Sequence, residues 1–331
     1  MFIRHSILVL LASLITVSPV SAWGPTGHQT IGAIADEMIT GTHAETEVKA
    51  LLGNITLQEA SVWADCAKGV DPGKNYKYIT EGKYPECKIF ETPEMEAEMS
   101  DFVRRNDTNC SRKPGTESCH KEYHYTDVAI QRDHYSRSFV GTRDDDIVGA
   151  ALAAIRVLKG ESAPAPFSFK NKREALLLLT HYVGDIHQPL HVGAIYLDNK
   201  GRRVDPDKGT FDPDTDTQGG NKLMVKSRNL HSIWDTVPAS LNTSHINNLI
   251  EDARALPVTK GPIYDWPSSW ASDTLKNAWS AFSGIKFSSY THGHWAVILP
   301  PKYSSKMKEI KQDEIIQAGA HLAQLLEAIW R

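Results

Sequence analysis

Cysteine is sparse, four residues in 331, and none forms a Cys-x-x-Cys pair, which excludes a zinc ribbon and a thioredoxin-type redox motif. Long apolar runs are missing too. Past the N-terminal stretch none approaches the roughly 18 residues that a membrane-spanning helix needs. Neither sign of charge dominates: 36 Lys and Arg stand against 40 Asp and Glu, for a net charge of -4. That balance excludes a generic nucleic-acid binder with a broad basic surface, so any phosphate partner must be held by a local device. Alternating β patterns are scarce and short, the best being Glu122 to Ile130 and Lys222 to Lys226. What the chain does have is apolar content, 41% hydrophobic against 23% charged, enough to bury a core and to exclude disorder, collagen and coiled coil.

Most apolar residues recur at helical spacing, as in Ile147, Ala150, Ala151, Ala154 and Leu158, and again in Ile315, Gly319, Leu322, Leu326 and Ile329. Further helices are expected over Thr26 to Ile39, Leu57 to Ala67, Pro93 to Arg104, Lys172 to His187, Ser244 to Leu256 and Ser268 to Phe282. Pro189 stops the Lys172 helix, because proline lacks the amide donor and clashes with the preceding turn. The expected class is all-α: a single compact multi-helix domain with long loops and a minor β hairpin. Asp198 to Asn221, dense in Asp, Gly and Pro, reads as a long surface loop. Its Asp212, Asp214 and Asp216 do not make a calcium loop, since Thr217 stands where glycine is needed and Leu223 where a bidentate glutamate belongs.

The first 22 residues have the form of a secretory signal: Arg4 and His5, an apolar stretch from Ile7 to Val17, and a small-residue cleavage site at Val20-Ser21-Ala22. Cleavage after Ala22 would leave an exported or periplasmic protein beginning at Trp23. In that compartment Cys66, Cys87, Cys110 and Cys119 are expected to form two disulfides. Three pairings are open, and close spacing favours Cys66 with Cys87 and Cys110 with Cys119. Glycosylation sequons occur at Asn54, Asn106, Asn109 and Asn242.

Histidines fall beside carboxylates at spacings that put both on one helix face. His181 and Asp185 are four apart in the apolar THYVGDIHQPLH stretch, and His231 and Asp235 repeat the spacing in NLHSIWD. One such pair is readily a satisfied core histidine. Two pairs point to a cation, because imidazole and carboxylate are ligands of zinc and its relatives. His191 follows the proline break, where the chain can turn it back toward His181, whereas His187 lies off that face and reads as structural. Trp23 would be the new N-terminus, its amine and carbonyl a compact chelate, with His28 five residues on.

WGPTGH, WAD, YHYTD, THYVGDIHQPLH, GGN and NLHSIWD follow one another in the order found in the S1/P1 family of extracellular zinc nucleases, which the chain resembles from Trp23 to its last helix, so that 23–331 would be one nuclease domain. The resemblance implies three zinc ions in a buried cluster. One would take Asp65, His124, His181 and Asp185, a second His191, His231 and Asp235, and a third Trp23, His28 and Asp185. It implies in-line attack of a zinc-activated water on phosphorus, with Asp65 orienting the water and Lys68 neutralising the phosphate. Tyr125 would stack on a base whose edge Asp127, Gly219 and Asn221 read, with the far side of the stack near Tyr196 or Leu197. Single-stranded DNA and RNA and 3′-nucleotides are the implied substrates, cut to 5′-phosphates, and neither a membrane nor an obligate protein partner is implied. Two rivals remain. A zinc-dependent phospholipase C shares the tri-zinc, all-α plan, and a secreted zinc-binding protein would need no Lys68 or Tyr125.

Overall fold

The computed structural model describes residues 23–107 and 119–331; the expected signal segment, Asn109 and Cys110 lie outside them. The chain is mostly helical, as expected. In order run α1 (Pro25–Ile39), α2 (His43–Leu52), α3 (Leu57–Ala60) and α4 (Trp63–Ala67), then short paired strands β1 (Val70–Asp71) and β2 (Lys77–Tyr78). After α5 (Pro93–Asn106), α6 (Cys119–Glu122) and β3 (Val128–Ala129) come α7 (Ile147–Leu158), α8 (Lys172–Ile186), α9 (Pro189–Val192) and β4 (Gly193–Ala194). Then follow β5 (Leu223–Val225), β6 (Arg228–Asn229), α10 (Leu230–Asp235), α11 (Asn247–Ala255), α12 (Trp266–Phe282), β7 (Lys286–Thr291), β8 (His294–Ile298) and α13 (Tyr303–Ile329).

The centre is α8, buried at every position from Glu174 to Ile186. A helix apolar on all sides has no solvent face and must be surrounded, and α7, α13, α12 and the short helices do so. Asn171 caps its first turn by accepting from the Glu174 amide, and Pro189 keeps the helix from running on. The N-terminal helix α1 lies along α13, and both oxygens of Asp36 near its end accept from the Leu57 and Gln58 amides that open α3. Burial of Asp36 pushes its carboxyl up to about 6 against those two bonds.

Several boundaries differ from expectation. The Leu57–Ala67 stretch breaks at Ser61 and Val62 into two helices. The Glu122–Ile130 stretch contributes only β3, which pairs in parallel with β4, and α2 had no strong periodic signal. The β content exceeds one hairpin: β7 and β8 form an antiparallel pair, and β8 joins β5 in parallel, giving a four-stranded sheet in the order β6-β5-β8-β7. Cys66 is bonded to Cys87, and Cys119 is also disulfide-bonded. The sequon at Asn106 is closed in the fold, for its side chain is fully buried, donates to the Phe102 and Ser168 carbonyls and accepts from the Ser168 amide. No described helix is long and apolar enough to cross a membrane.

On α13 the buried Glu314 accepts a 2.8 Å bond from the Asn277 amide of α12, and burial pushes its carboxyl up from 4.5 to about 8. Between those values the native state holds a proton that the unfolded chain releases, so stability from this group is present at low pH and falls as pH rises through the window. Glu314→Gln keeps a polar group and removes the titration. Denaturant unfolding across that window should show wild type losing up to about 1.4 kcal/mol per pH unit relative to the variant. Parallel stability curves would contradict the assignment.

Candidate metal centre

Six segments deliver the site. From α8 come His181 and Asp185, one turn apart; α1 brings His28, α4 Asp65, the chain after α6 His124, α9 His191, and α10 His231 and Asp235. Gly184 makes room between α8 and α1, because a Cβ there would lie 2.8 Å from His28 Nδ1. His28 stacks on His181 with ring centroids 3.9 Å apart.

Three groups of ligand-type atoms form, each within 4.8 Å: His28 with His181 and Asp185, Asp65 with His124 and His181, and His191 with His231 and Asp235. Asp185 joins them. Its Oδ2 is 2.9 Å from His124 Nδ1 and 3.0 Å from His181 Nε2, while its Oδ1 faces His28 Nε2 at 3.3 Å and His191 Nδ1 at 3.7 Å. Neither His28 ring nitrogen nor Asp185 Oδ1 completes a hydrogen bond, although all three atoms are fully buried.

The donor set fits cations for a specific reason. His191 Nδ1 lies 2.7 Å from the His124 carbonyl and His231 Nδ1 2.8 Å from the Gly219 carbonyl. A carbonyl only accepts, so both Nδ1 atoms carry hydrogen, and each neutral ring presents its lone pair at Nε2. Those two Nε2 atoms are 3.0 Å apart. Facing lone pairs repel unless positive charge sits with them, and a proton is disfavoured: burial, then His191, pushes His231 down to about 3, and burial also lowers His191. His181 is tied in the same way, its Nδ1 2.6 Å from the Ser61 carbonyl. Burial likewise pushes His28 down to about 4 and His124 to about 3, leaving both neutral, as metal ligands must be. Burial opposes ionisation of Asp185, yet the surrounding histidines hold its carboxyl well below the usual range.

Supporting residues that sequence reasoning missed surround Asp235. The Gln188 amide donates to Asp235 Oδ1 at 2.7 Å, and its oxygen accepts the Leu190 amide at the start of α9. One side chain therefore orients Asp235 and caps the turn bearing His191, a contact pattern typical of the groups behind metal ligands. The buried Lys311 of α13 donates to the Ile233 and Thr236 carbonyls at 2.8 Å each, pinning the end of α10. The Gly24 amide donates to the Asp235 carbonyl, seating the buried Trp23 beside it. No spacing rule reveals Gln188 or Lys311, since both act through space. His187 takes no part in the three groups; its ring contacts the Val183 carbonyl and His321.

Lys68 Nζ lies 2.7 Å from Asp65 Oδ1, and both side chains are about nine-tenths buried, so Lys68 is not a solvated surface lysine. Beside the cluster, Gln218, Gly219 and Gly220 all adopt positive φ in a turn whose Gly219 amide bonds the Asp127 carboxyl. Burial and the neighbouring Asp216 raise that carboxyl well above its usual range. Asn221 closes the same turn, its amide donating to the Gln218 carbonyl and its buried oxygen unpartnered. Tyr125 is partly exposed two residues from Asp127. Tyr196 and Leu197 must be corrected: both are buried within 1%, and the Tyr196 hydroxyl donates to the Asp127 carbonyl, so neither offers a face to a base.

The S1/P1 Nuclease family model matches residues 23–331. Endonuclease 1 of Arabidopsis thaliana is 27% identical over 183 residues, 48% of this chain and 50% of that protein. Nuclease P1 of Penicillium citrinum is 25% identical over 231 residues, 67% of this chain and 61% of that protein. Nuclease S1 of Aspergillus oryzae is 24% identical over 217 residues, 65% and 53%. The chain thus spans about half the length of the Arabidopsis relative it matches.

Two substitutions probe the centre. Asp185→Asn removes the carboxylate shared by the groups, so elemental analysis should find fewer metal ions and turnover should vanish; a full complement in an active variant would contradict the shared role. Gln188→Leu should weaken metal binding by about 10- to 100-fold at the Asp235 group alone, read by chelator competition. Unchanged affinity would show that Asp235 needs no such support.

Proposed function

The chain belongs to the S1/P1 nuclease family, and from that premise we propose a secreted, zinc-dependent endonuclease that hydrolyses single-stranded DNA and RNA to 5′-phosphorylated products and also acts on 3′-nucleotides. The observation that carries the metal reading is the buried His191 and His231 pair, whose lone pairs converge at 3.0 Å. Asp65, His124, His181 and Asp185 would hold one ion, His191, His231 and Asp235 another, and Trp23, His28 and Asp185 a third. When bound, zinc supplies Lewis acidity that ionises water near neutral pH and stabilises a departing oxygen.

This chain's residues do the rest. Asp65, paired with Lys68, would accept a hydrogen bond from the attacking water and so aim it. Lys68 would bring positive charge to the phosphate as its negative charge grows. Tyr125 would stack on one base, and Asp127, Gly219 and Asn221 would read its edge; the buried, unpartnered Asn221 oxygen supports a polar ligand there. Stacking needs an unpaired base, worth about 1 to 3 kcal/mol each, and this favours single strands.

Export would also complete the site. Before cleavage after Ala22 the Trp23 nitrogen is an amide, a poor ligand; cleavage would make it a free amine able to bind a cation together with the Trp23 carbonyl and His28. A cytoplasmic version beginning Met-Trp should keep the fold and two ions yet lose most activity, with the N-terminus verified by mass spectrometry. Equal turnover and equal zinc would remove the terminal amine from the ligand set.

The reaction itself is tested on single-stranded DNA, RNA, 3′-nucleotides and phosphatidylcholine, with chelator and with zinc restored. The first three should be hydrolysed in a zinc-dependent manner and the lipid left intact. Lipid cleavage would indicate the phospholipase reading, and zinc binding without turnover a storage protein. Tyr125→Ala with Asp127→Asn should impair nucleic-acid cleavage far more than hydrolysis of a simple phosphodiester at unchanged zinc content. Equal losses would place the pair in support of the metals instead.

A further inference from the structure

The turn that carries Gly219 and Asn221 binds two carboxyls with adjacent amides. The Gln218 amide donates to Asp216 Oδ1 at 2.7 Å, and the next amide along the chain, that of Gly219, bonds the Asp127 carboxyl. Gln218 and Gly219 both have φ of 54°, and successive amides in such a turn form a concave nest that suits negative charge. Two acids from distant parts of the chain therefore meet over one nest. Through the Gly219 carbonyl, which faces His231 Nδ1 at 2.8 Å, the same turn is tied to the candidate metal centre.

The meeting is fixed from two sides. Tyr196 bridges Asp216 in an antiparallel contact, so their side chains stand on the same face, and the Tyr196 hydroxyl reaches the Asp127 carbonyl at 2.7 Å. Asp216 is thus turned toward Asp127. On the opposite side the Asp127 amide donates to the Gly141 carbonyl at 3.0 Å, and Gly141, with φ of 90°, approaches the Asp127 carbonyl too closely for any side chain. Neither acid can swing away without undoing these contacts.

Asp127 is only 8% exposed, and burial followed by the neighbouring Asp216 raises its carboxyl, while burial raises Asp216 as well. Lys222 is the cation that faces both, its ammonium donating to the Asp216 carbonyl at 3.0 Å. Of the other charged or titratable groups around Tyr196 and the turn, Asp207 is engaged by the Val140 amide and by Arg132 at 3.2 Å, and His231 directs its Nδ1 hydrogen to Gly219. We propose that Asp127 and Asp216 share one proton at neutral pH, so that a carboxylic acid faces the base, and that Asp216 thereby sets which bases are accepted. An acid offers one donor and one acceptor, which match the Watson–Crick edges of adenine, cytosine, uracil and guanine alike. A carboxylate offers two acceptors, and only guanine answers with two adjacent donors. The shared proton makes the pocket tolerant of sequence. This role rests on the reading of Asp127 as a base reader, and Asp216 acts through Asp127 as a positioning residue.

Guanosine and adenosine 3′-phosphates differ only in the base, so the ratio of their kcat/KM values cancels effects on the metals and on the phosphate. In wild type the ratio should stay near unity at neutral pH and climb about tenfold in favour of guanine as pH rises and the pair loses its proton. Asp216→Asn removes the repelling charge, and the climb should move at least about one pH unit lower. Lys222→Met removes the cation that favours ionisation, and the climb should move higher. Opposite displacements separate this role from a merely structural one, which would shift both variants alike. Hydrolysis of both nucleotides at a ratio flat with pH, or the same midpoint in all three proteins, overturns the shared proton and leaves the nuclease reading intact. A wild-type protein that hydrolyses neither nucleotide overturns that reading and the pair's role with it.

Discussion

Two buried imidazole lone pairs facing each other at 3.0 Å set the terms for the rest of the molecule. Each ring is locked in that orientation by a backbone carbonyl behind it, so neither can turn away. Around them stand Asp185, fully buried, and Asp65 and Asp235, nearly so. Burial raises the Asp235 carboxyl while the neighbouring histidines hold Asp185 ionised, and buried polar groups of this kind are costly unless positive charge sits among them. Lys68 supplies some beside Asp65, and Lys311 lies behind Asp235, but neither occupies the spaces between the converging atoms.

The surrounding architecture reads as the means of holding those atoms in place. An all-round apolar helix, α8, can lie only at the centre, and its position fixes where His181 and Asp185 are presented. The break at Ser61 separates α3 from α4 and leaves the Ser61 carbonyl facing His181. The disulfide between Cys66 and Cys87 fastens the residue directly after Asp65. Gln188 and Lys311 do the corresponding work for α10, too short a helix to hold its own ends. Ligand geometry is thus distributed over segments from α1 to α13, which explains why the site has no local sequence of its own.

What the sequence disclosed follows from this. Pairs spaced four apart, His181 with Asp185 and His231 with Asp235, were legible because helix geometry converts spacing into direction. The proline break pointed to His191 and the expected new N-terminus to His28, family order then added Asp65 and His124, and the structure brings all four together with the two pairs. Tyr196 and Leu197 were placed in the base pocket by position alone and prove buried, because the chain there becomes the middle of a paired layer. The β7-β8 hairpin was not foreseen: Lys286 to Thr291 is exposed along nearly its whole length, so it lacks the alternation that marks a half-buried strand. Gln188, between His187 and Pro189, carries no sequence signal of its own, and only the fold shows what its amide touches.

The most direct measurement is anomalous diffraction at the zinc edge from crystals of exported protein, combined with elemental analysis of the same preparation. Three peaks are expected: one between His28 and Asp185, one among Asp65, His124 and His181, and one between the Nε2 atoms of His191 and His231 beside Asp235. Metal-replete crystals with no peak at the His191 and His231 pair, the rings turned apart or bridged by a proton, would contradict the reading of this cluster as a metal centre.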